Sequence, residues 1–390
     1  FVKKSFYFHV IKSNLPLCII IFLLIKLNNI MKICLIGKNL TNLVLAKNLS
    51  KKNLNVDILF EKNKENKLSQ RTLAISKENF NYLLKISNKI QISTWPIKNI
   101  KIYNDTNNQK ELAEFKNNNK ENFFLIKYVD ILNSFENICK IDKKIKFKKI
   151  IYKTKLKNLL KNKNYSLVIN SDKNNFYNHK NIEKNYDSIA YTGILDHELK
   201  NINFEATQIF TKYGPLAFLP LSKTKTSIVF SVVNNYKLSE TQIHNLINKY
   251  NLNYKRLKIS KLEKAKIKFS MPRNYYYKNK LIFGDILHSI HPLAGQGFNM
   301  TIRDIKVLSF LIDEKIDLGL ELDRSLFYDF QKKTKHLNYT FGLGIDFIYE
   351  FFKIDNKTNN LLSNSIFSIL GKNKYLNKYA NLFADKGIKI

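Results

Sequence analysis

The chain has 390 residues, of which 44% are hydrophobic and 13% aromatic, and its formal net charge at pH 7 is +35. This composition excludes a disordered chain, and the length is sufficient for about two domains with a sizeable core. The three cysteines, Cys18, Cys34 and Cys139, are far apart and include no CxxC pair. That pattern excludes a disulfide framework and a cysteine-based zinc site, and it favours a reducing compartment.

The positive charge is mostly lysine, and arginine occurs at only five positions. Proteins that read nucleic acids favour arginine, because its planar guanidinium pairs with phosphate and guanine through two hydrogen bonds. The lysines are spread along the chain, and lysine, asparagine and isoleucine are all encoded by A/T-rich codons. We therefore expect a solvated basic surface and no nucleic-acid partner. Attraction to anionic membrane lipids, which lysine also provides, stays an alternative.

The first 30 residues contain an apolar run at 15–27 that is shorter than the roughly 20 residues needed to span a membrane. A strand-like segment begins immediately afterwards at Met31. We expect that Met31 is the true start and that 1–30 is an upstream extension, with a short membrane anchor as the alternative.

The segment 32–61 has the pattern of a βαβ unit: a short apolar strand ending at Gly37, a helical stretch at 41–50, and a second strand ending at Glu61. In a dinucleotide-binding fold, the pyrophosphate lies at the helix N-terminus and the acidic residue binds the adenosine ribose. The usual GxGxxG fingerprint is reduced here to its first glycine, because Asn39 and Asn42 replace the other two. An ordinary βαβ unit without a nucleotide is the alternative.

The middle of the chain has a different residue pattern from the βαβ unit. Residues 185–233 form short β-like aromatic runs between turn residues, which predicts an antiparallel sheet in a second domain. The other predicted elements are a helix at 71–90, a strand at 100–105, a loop at 106–122, a strand at 166–171, and helical connectors at 238–252 and 255–266.

The most informative stretch is 281–304, where a strand ends in Gly284 and Asp285 and a loop containing Pro292, Gly295 and Gly297 leads into a helix at 299–313. Glycines before a helix expose consecutive N–H groups that bind anions or carbonyl oxygens. A carboxylate at the end of a strand is placed to accept hydrogen bonds from sugar-like hydroxyls.

Two histidines in this stretch, His288 and His291, have the i, i+3 spacing of metal ligands but no third ligand nearby. We interpret them as polar residues at the lip of the loop and expect no metal site. The sequence contains no GxSxG or HExxH motif, so hydrolase chemistry has no support.

The segment 284–299, followed by Arg303 and Asp304, closely resembles the second flavin-binding motif of the class A FAD-dependent aromatic hydroxylases. Three further segments, 71–76, 96–105 and 210–221, resemble landmarks of the ubiquinone-biosynthesis hydroxylases, in the same order and at similar spacing.

The resemblance implies an α/β fold of the para-hydroxybenzoate-hydroxylase type. A discontinuous, Rossmann-like FAD-binding domain covers 31–105, 150–184 and 268–330. A substrate domain with an inserted antiparallel sheet, together with connectors, covers 106–149 and 185–267, and a C-terminal helical region covers 331–390.

The resemblance also assigns cofactor-binding residues. Gly37 and Asn39 are placed at the pyrophosphate, Glu61 at the adenosine ribose, Arg71 at the flavin and Asp285 at the ribityl chain. The isoalloxazine ring is lined by the backbone of Pro292, Gly295, Gln296, Gly297, Phe298 and Asn299. Catalytic residues are not identified, because in this chemistry the cofactor performs the reaction.

The implied activity is hydroxylation of the aromatic ring of a polyprenylated phenol in ubiquinone biosynthesis, with FAD as cofactor, NAD(P)H as co-substrate and O2 as oxygen donor. A non-catalytic relative that acts as a partner of other quinone-biosynthesis proteins is the alternative. It is motivated by Asn39, by Asn42 and by Lys173, which follows Asp172 where the family has glycine.

The implied location is cytoplasmic, with peripheral contact on the inner membrane face as a further alternative. The apolar run 341–352 suits such a contact. It equally suits a helix that packs on the body of the protein.

Overall fold

The computed structural model describes residues 31–61, 70–105, 111–116, 121–150, 165–173 and 180–356. The expectations for 1–30 and for the end of the C-terminal region, 357–390, lie outside the described residues.

The elements are named here in chain order. The strands are β1 Lys32–Ile36, β2 Asn55–Glu61, β3 Thr72–Ser76, β4 Trp95–Ile97, β5 Asn99–Asn104, β6 Glu111–Lys116, β7 Phe123–Lys127, β8 Ile145–Ile150, β9 Leu167–Asn170, β10 Asn181–Asp196, β11 Glu205–Thr211, β12 Gly214–Pro220, β13 Lys225–Val233, β14 Lys258–Ile259, β15 Glu263–Pro272, β16 Tyr276–Tyr277 and β17 Lys280–Ile282. The helices are α1 Leu40–Lys51, α2 Lys77–Ile86, α3 Tyr128–Lys140, α4 Glu240–Tyr250, α5 Gln296–Asp317 and α6 Arg324–Asp355. Short 3₁₀ turns lie at Asn234–Tyr236, Gly284–Ile286 and Leu293–Gly295.

A mostly parallel sheet has the strand order β16-β17-β9-β1-β2-β8 within the described residues. β1 lies between β2 and β9 and is parallel to both, and β17 and β8 continue the parallel arrangement outward. Ile33 and Leu35 of β1 belong to the main core with α1, α5 and the first half of α6, whereas Cys34 and Ile36 pack on the opposite face. A parallel sheet covered on both faces requires apolar side chains on both sides of each strand, and β1 has them.

A larger sheet has the order β14-β10-β13-β12-β11-β5-β6, and β15 pairs with the long strand β10, again within the described residues. Its pairs are antiparallel except for β11 and β5. The register of β10 against β15 shifts between Asn185 and Ser188, which leaves Tyr186 and Asp187 outside the ladder. Asp187 has a positive φ of 47° at this β-bulge. Bulges of this kind redirect a side chain locally without ending the sheet.

Helix α6 packs against two separate hydrophobic clusters. Leu326, Phe327 and Phe330 in its first part belong to the main core. Phe341 and Tyr349 in its second part belong to a separate cluster with β10, β11 and β15. Part of the run 341–352 therefore packs on the body of the protein, as one of the two alternatives predicted. No helix in the described ranges is long and apolar enough to cross a membrane.

Three predicted elements are wrong in part. Residues 72–76 form strand β3, which pairs with β7, instead of opening a helix at 71, and α2 begins only at Lys77. The predicted loop at 106–122 contains β6, and the helical connector at 255–266 contains β14 and the start of β15. In each case pairing with a distant strand overrides the local pattern.

Two strands join a different sheet from the one implied by the predicted domain boundaries. β5, placed in the FAD-binding domain, pairs with β11 of the antiparallel sheet. β8, placed in the substrate domain, pairs with β2 of the parallel sheet. Neither segment has a composition that distinguishes the two sheets.

Candidate functional site

Four predicted or neighbouring site residues meet at one edge of the parallel sheet. β1, β2, β9 and β17 all run in the same direction, so their carboxyl ends lie together. Gly37 follows β1, Glu61 ends β2, Asp172 follows β9 and Asp285 follows β17. Ligands of open α/β sheets bind in the crevice outside these strand ends.

The turn after β1 requires its glycine. Gly37 has φ +105°, and a Cβ added there would lie 3.0 Å from the Cβ of Asp172. This tight turn leads directly into α1, whose first intrahelical bond runs from the N–H of Leu43 to the carbonyl of Asn39. The N–H of Thr41 precedes that bond, whereas the N–H of Leu40 donates to the hydroxyl of Tyr128. The end of the helix dipole at this position favours an anion.

Asn39 is the N-cap of α1 and has extended backbone, so the missing glycine causes no strain at this position. Its Oδ1 accepts a hydrogen bond from the N–H of Asn42, and its Nδ2 donates to the carbonyl oxygen of Ser171 at 3.0 Å. The side chain therefore ties the start of α1 to the end of β9. It also satisfies one of the amide groups that a phosphate would otherwise meet.

Asn42 replaces the last glycine of the fingerprint and is fully buried. Its Nδ2 donates to the carbonyl oxygens of Ile36 and Gly37, at 2.9 and 2.7 Å. In the glycine version of this turn, the helix approaches the strand closely because there is no side chain. Here the side chain fills the gap and fixes the turn by hydrogen bonds instead.

Glu61 ends β2 with an unsatisfied acceptor. Its Oε1 is buried and has no hydrogen-bond partner within the described residues. A buried carboxylate oxygen without a donor is unfavourable, and the hydroxyl groups of a bound sugar would supply donors. This is the position at which a dinucleotide fold holds the adenosine ribose.

Arg71 and Asp285 lie close together across the crevice, with 4.0 Å between Nη1 and Oδ2. Both side chains are more than one-third exposed, so this ion pair contributes little to stability and stays available to a ligand. The guanidinium lies over the ring of Tyr128 at 5.1 Å. Burial raises the pKa of Tyr128, which keeps this ring a neutral phenol.

Two glycines allow the loop from Gly284 to Gly297 to approach α1 and β3 closely. Gly284 has φ +69°, and a Cβ there would clash with the side chain of Thr41 in α1. Gly295 has φ +62°, and its Cβ would lie 3.0 Å from the Cβ of Ala74 in β3. At Gly297, by contrast, an added Cβ would meet no atom within 4 Å. The first turn of α5 thus presents bare backbone to open space.

The remaining predicted residues of the loop have different roles. Pro292 is exposed, whereas Phe298 packs in the main core. Gln296 is buried, and its Oε1 has no partner within the described residues. Asn299 is buried and forms two hydrogen bonds to the backbone of β3. Its Oδ1 accepts from the N–H of Ser76, and its Nδ2 donates to the carbonyl of Ala74. Its side chain holds the loop in place instead of facing a ligand.

From the sequence, the two histidines, His288 and His291, are expected at the lip of the loop. That prediction is wrong, because both side chains are buried. His288 Nε2 donates to Oδ2 of Asp304 at 2.9 Å, and the other oxygen of Asp304 accepts from Nδ2 of Asn338. This network joins the loop, α5 and α6. His291 lies between Tyr186 and Tyr349. Sequence spacing contained no signal for either arrangement, because the partners come from β10, α5 and α6.

Two surface hollows lie elsewhere. One, of about 620 Å³, is bordered by α1, α2 and α3 and includes Lys47 and Lys85. The other, of about 390 Å³, lies along α6. No group of three or more His, Cys, Asp or Glu side chains in the described part of the chain is arranged to hold a metal ion.

The fold matches solved flavoprotein structures over nearly the whole chain. HpxO of Klebsiella pneumoniae, solved with FAD and uric acid, superposes with a TM-score of 0.68 at 12% identity, covering 92% of this chain and 96% of that one. p-Nitrophenol 4-monooxygenase PnpA of Pseudomonas putida gives 0.65 at 11% identity, covering 93% and 99%. The chain has the fold of the FAD-dependent aromatic monooxygenases. The predicted fold class is confirmed.

The sequence itself is similar to ubiquinone biosynthesis monooxygenases. The enzyme named COQ6 of Dictyostelium discoideum is 26% identical over 191 residues, which cover 39% of this chain and 38% of that protein. The human protein of that name is 27% identical over 172 residues, which cover 33% and 36%. The match thus spans less than two-fifths of each relative, and no protein-family model matches the chain. The resemblance predicted from the sequence is confirmed.

The described residues fit FAD on three counts. The Gly37 turn brings backbone without a Cβ to the start of α1, at a point where a Cβ would lie 3.0 Å from the Cβ of Asp172. The buried Oε1 of Glu61 has no donor within the described residues, and a Cβ added at Gly297 would meet no protein atom within 4 Å, so that backbone is open to a ligand. Asn39 accepts from the N–H of Asn42, and the N–H of Leu40 donates to the hydroxyl of Tyr128, so both amides are already engaged at the helix end.

Proposed function

We propose that this protein is an FAD-dependent monooxygenase that hydroxylates the aromatic ring of a polyprenylated phenol in ubiquinone biosynthesis. The observation that supports it most is the convergence of Gly37, Glu61 and Asp285 at one edge of the parallel sheet, beside the bare backbone of Gly297. These residues come from distant parts of the chain and match the parts of a single extended ligand.

In this proposal each residue contacts a defined part of FAD. The Gly37 turn and Asn39 contact the pyrophosphate, Glu61 the adenosine ribose, and Arg71 and Asp285 the ribityl side of the flavin. The backbone of Pro292, Gly295, Gln296, Gly297, Phe298 and Asn299 lies along the ring. Bound FAD supplies the redox chemistry: it takes two electrons from NAD(P)H and activates O2, so that one oxygen atom enters the phenol ring and the other leaves as water.

The substrate assignment follows from the sequence relatives, which are named for ubiquinone biosynthesis. Such a substrate has an electron-rich ring and a long apolar chain. The outer face of α6 presents Leu343, Phe347 and Ile354 to solvent, with Phe347 69% exposed. We propose that this face contacts the membrane that holds the substrate, so that the protein associates with the lipid surface peripherally.

FAD reconstitution tests the enzyme assignment. The purified protein, incubated with FAD and desalted, is expected to retain a flavin absorbance band near 450 nm, and addition of NAD(P)H under anaerobic conditions is expected to bleach it. Colourless protein that cannot be reconstituted would contradict the assignment. It would favour the second candidate, a non-catalytic partner of other quinone-biosynthesis proteins, which the Asn39 contact to the helix end supports.

The biosynthetic step is tested by complementation. Strains blocked at each ring hydroxylation of ubiquinone synthesis accumulate different intermediates. Expression of this chain is expected to remove one intermediate and restore its hydroxylated product, identified by mass spectrometry. Failure to restore any step, by a protein that binds FAD and is reduced by NAD(P)H, would exclude the polyprenylated substrate but retain the flavoprotein.

A further inference from the structure

His291 is a buried imidazole with both ring nitrogens unsatisfied. It is 1% exposed, and neither Nδ1 nor Nε2 has a hydrogen-bond partner within the described residues. A neutral imidazole always has one donor and one acceptor, so burial without partners is unfavourable. His197 shows the usual solution in the same chain: its two ring nitrogens contact the carbonyl of Glu198 at 2.8 Å and Oγ1 of Thr226 at 3.1 Å.

The surroundings of His291 are aromatic and apolar. The ring of Tyr349 stacks on the imidazole with 4.3 Å between centroids, and Tyr186 approaches it edge-on at 5.3 Å. The two tyrosines belong to a cluster at the junction of the antiparallel sheet, the loop before α5, and α6. Its buried members are Leu112, Tyr186, Ala190, Phe210, Ile267, Phe269, Met271, Leu293, Met300, Phe341, Ile345, Tyr349 and Phe352.

The junction around His291 resembles the places where small-molecule sites occur. They lie preferentially where two structural units meet, and they combine an apolar, aromatic lining with a few polar groups that fix orientation. His291 immediately precedes Pro292 of the loop proposed to line the flavin ring. The bulge in β10 projects Tyr186 toward it, and bulges recur beside active sites for this reason.

We propose that His291 binds the hydroxyl group of the phenolic substrate, whose ring packs in the aromatic and methionine-rich cluster beside the flavin loop. This assignment rests on the proposed function and adds the residue that orients the ring. The phenol O–H donates to the unprotonated ring nitrogen. Because Tyr186 and Tyr349 cover the imidazole, one of these rings must change its rotamer when the phenol enters, and such side-chain adjustments are common on binding.

The hydrogen bond predicts discrimination between two probes that differ by one hydroxyl. Binding of para-cresol and of toluene to the FAD-loaded protein is measured by perturbation of the flavin absorbance. The wild type is expected to bind para-cresol about tenfold more tightly than toluene, because a buried polar group is left unpaired by toluene. In His291→Phe this preference is expected to disappear through weaker binding of para-cresol, and in the exposed control His336→Phe it is expected to persist.

A second measurement follows ligand binding in the wild type, in case His291→Phe does not fold. The protein is labelled with ¹⁵N-histidine, and the His291 signals are assigned by their loss in His291→Gln. Para-cresol is expected to shift the His291 ring nitrogens, and toluene to leave them unchanged. Equal responses to both probes, or a retained preference in His291→Phe, would overturn the assignment of His291 while FAD binding and hydroxylation stand. Absence of FAD uptake by the wild type would overturn the proposed function and this inference with it.

Discussion

The side-chain amide of Asn42 donates a hydrogen bond to the carbonyl oxygen of Gly37 at 2.7 Å, and so a helix residue holds the turn that precedes its own helix. The same Nδ2 also bonds the carbonyl of Ile36. Replacement of Asn42 by glycine restores the last glycine of the fingerprint but removes both bonds and leaves a gap between α1 and β1.

We therefore expect Asn42→Gly to destabilise the protein by about 2 kcal/mol, the sum of lost buried hydrogen bonds and of glycine in a helix. Guanidinium-induced unfolding measures the change. Asn81→Gly, at an exposed position of α2, is the matched control and is expected to lose no more than about 1 kcal/mol. Equal losses in the two variants would show that the Asn42 bonds contribute nothing.

Gly297 and Gly295 are predicted to respond in opposite ways to alanine. A methyl group at Gly297 meets no atom of the described protein, so the stability of the FAD-free protein should be unchanged or slightly raised. The dissociation constant of FAD should rise at least about tenfold, because the methyl group would lie where we propose that the ring approaches the backbone. Fluorescence titration with FAD measures this, and binding equal to wild type would place the ring elsewhere.

Gly295→Ala serves as the contrasting variant. Its left-handed backbone and the 3.0 Å approach to Ala74 predict a loss of about 1–3 kcal/mol in stability without FAD. A destabilised Gly297→Ala together with an unaffected Gly295→Ala would contradict the loop geometry described above.

Asp304 is predicted to be the main stabilising residue of the network between the loop and α6. Asp304→Ala leaves His288 and the Nδ2 of Asn338 without their acceptor in the interior. We expect a loss of about 3 kcal/mol, measured by thermal or denaturant unfolding. Asp317→Ala, at the exposed end of the same helix, should change stability by less than about 0.5 kcal/mol.

The burial of His291 predicts a pH dependence of stability. Burial lowers the pKa of His291 to about 3, whereas the unfolded chain has the ordinary value near 6.5. Below pH 6.5 the unfolded state binds a proton that the folded state does not, so stability is fully present above pH 6.5 and falls as the pH decreases toward 3. The maximal slope from this group is about 1.4 kcal/mol per pH unit.

The aromatic groups that face His291 do not titrate in this window. Burial raises the pKa of Tyr186 and of Tyr349, so both stay neutral. His291→Gln should therefore flatten the decline in unfolding free energy between pH 6.5 and 4, measured by urea titrations at several pH values. His336→Gln, exposed on α6, is the control and should leave the slope as in wild type.

The sequence predicted those parts of the fold that depend on local pattern. The βαβ unit, strand β9, the antiparallel sheet and helix α5 have periodicity or turn residues that identify them, and these predictions are confirmed. The sequence predicts a helix over strand β3, because the five residues of this strand are followed directly by α2. Only pairing with β7, about 50 residues later in the chain, determines its conformation.

The candidate site was predictable where a residue type itself implies a backbone geometry. Gly37, Gly284 and Gly295 have positive φ values, and the motif that contains them points to the crevice. The roles of Asn39 and Asn42 were not predictable, since both depend on carbonyl groups brought near by folding. The burial of His288 and His291 depends in the same way on Asp304 and on aromatic rings from β10 and α6.

The bulge in β10 has a consequence for how such enzymes diverge. Tyr186 and Asp187 interrupt the ladder with β15, and the pairing resumes on the far side with a shifted register. Asp187 is exposed and can therefore be exchanged without rebuilding the sheet, whereas Tyr186 is buried in the apolar cluster beside His291. In the proposed site, related chains that differ at this bulge would present a different ring to the imidazole, while the rest of the strand stays paired with β13 and β15.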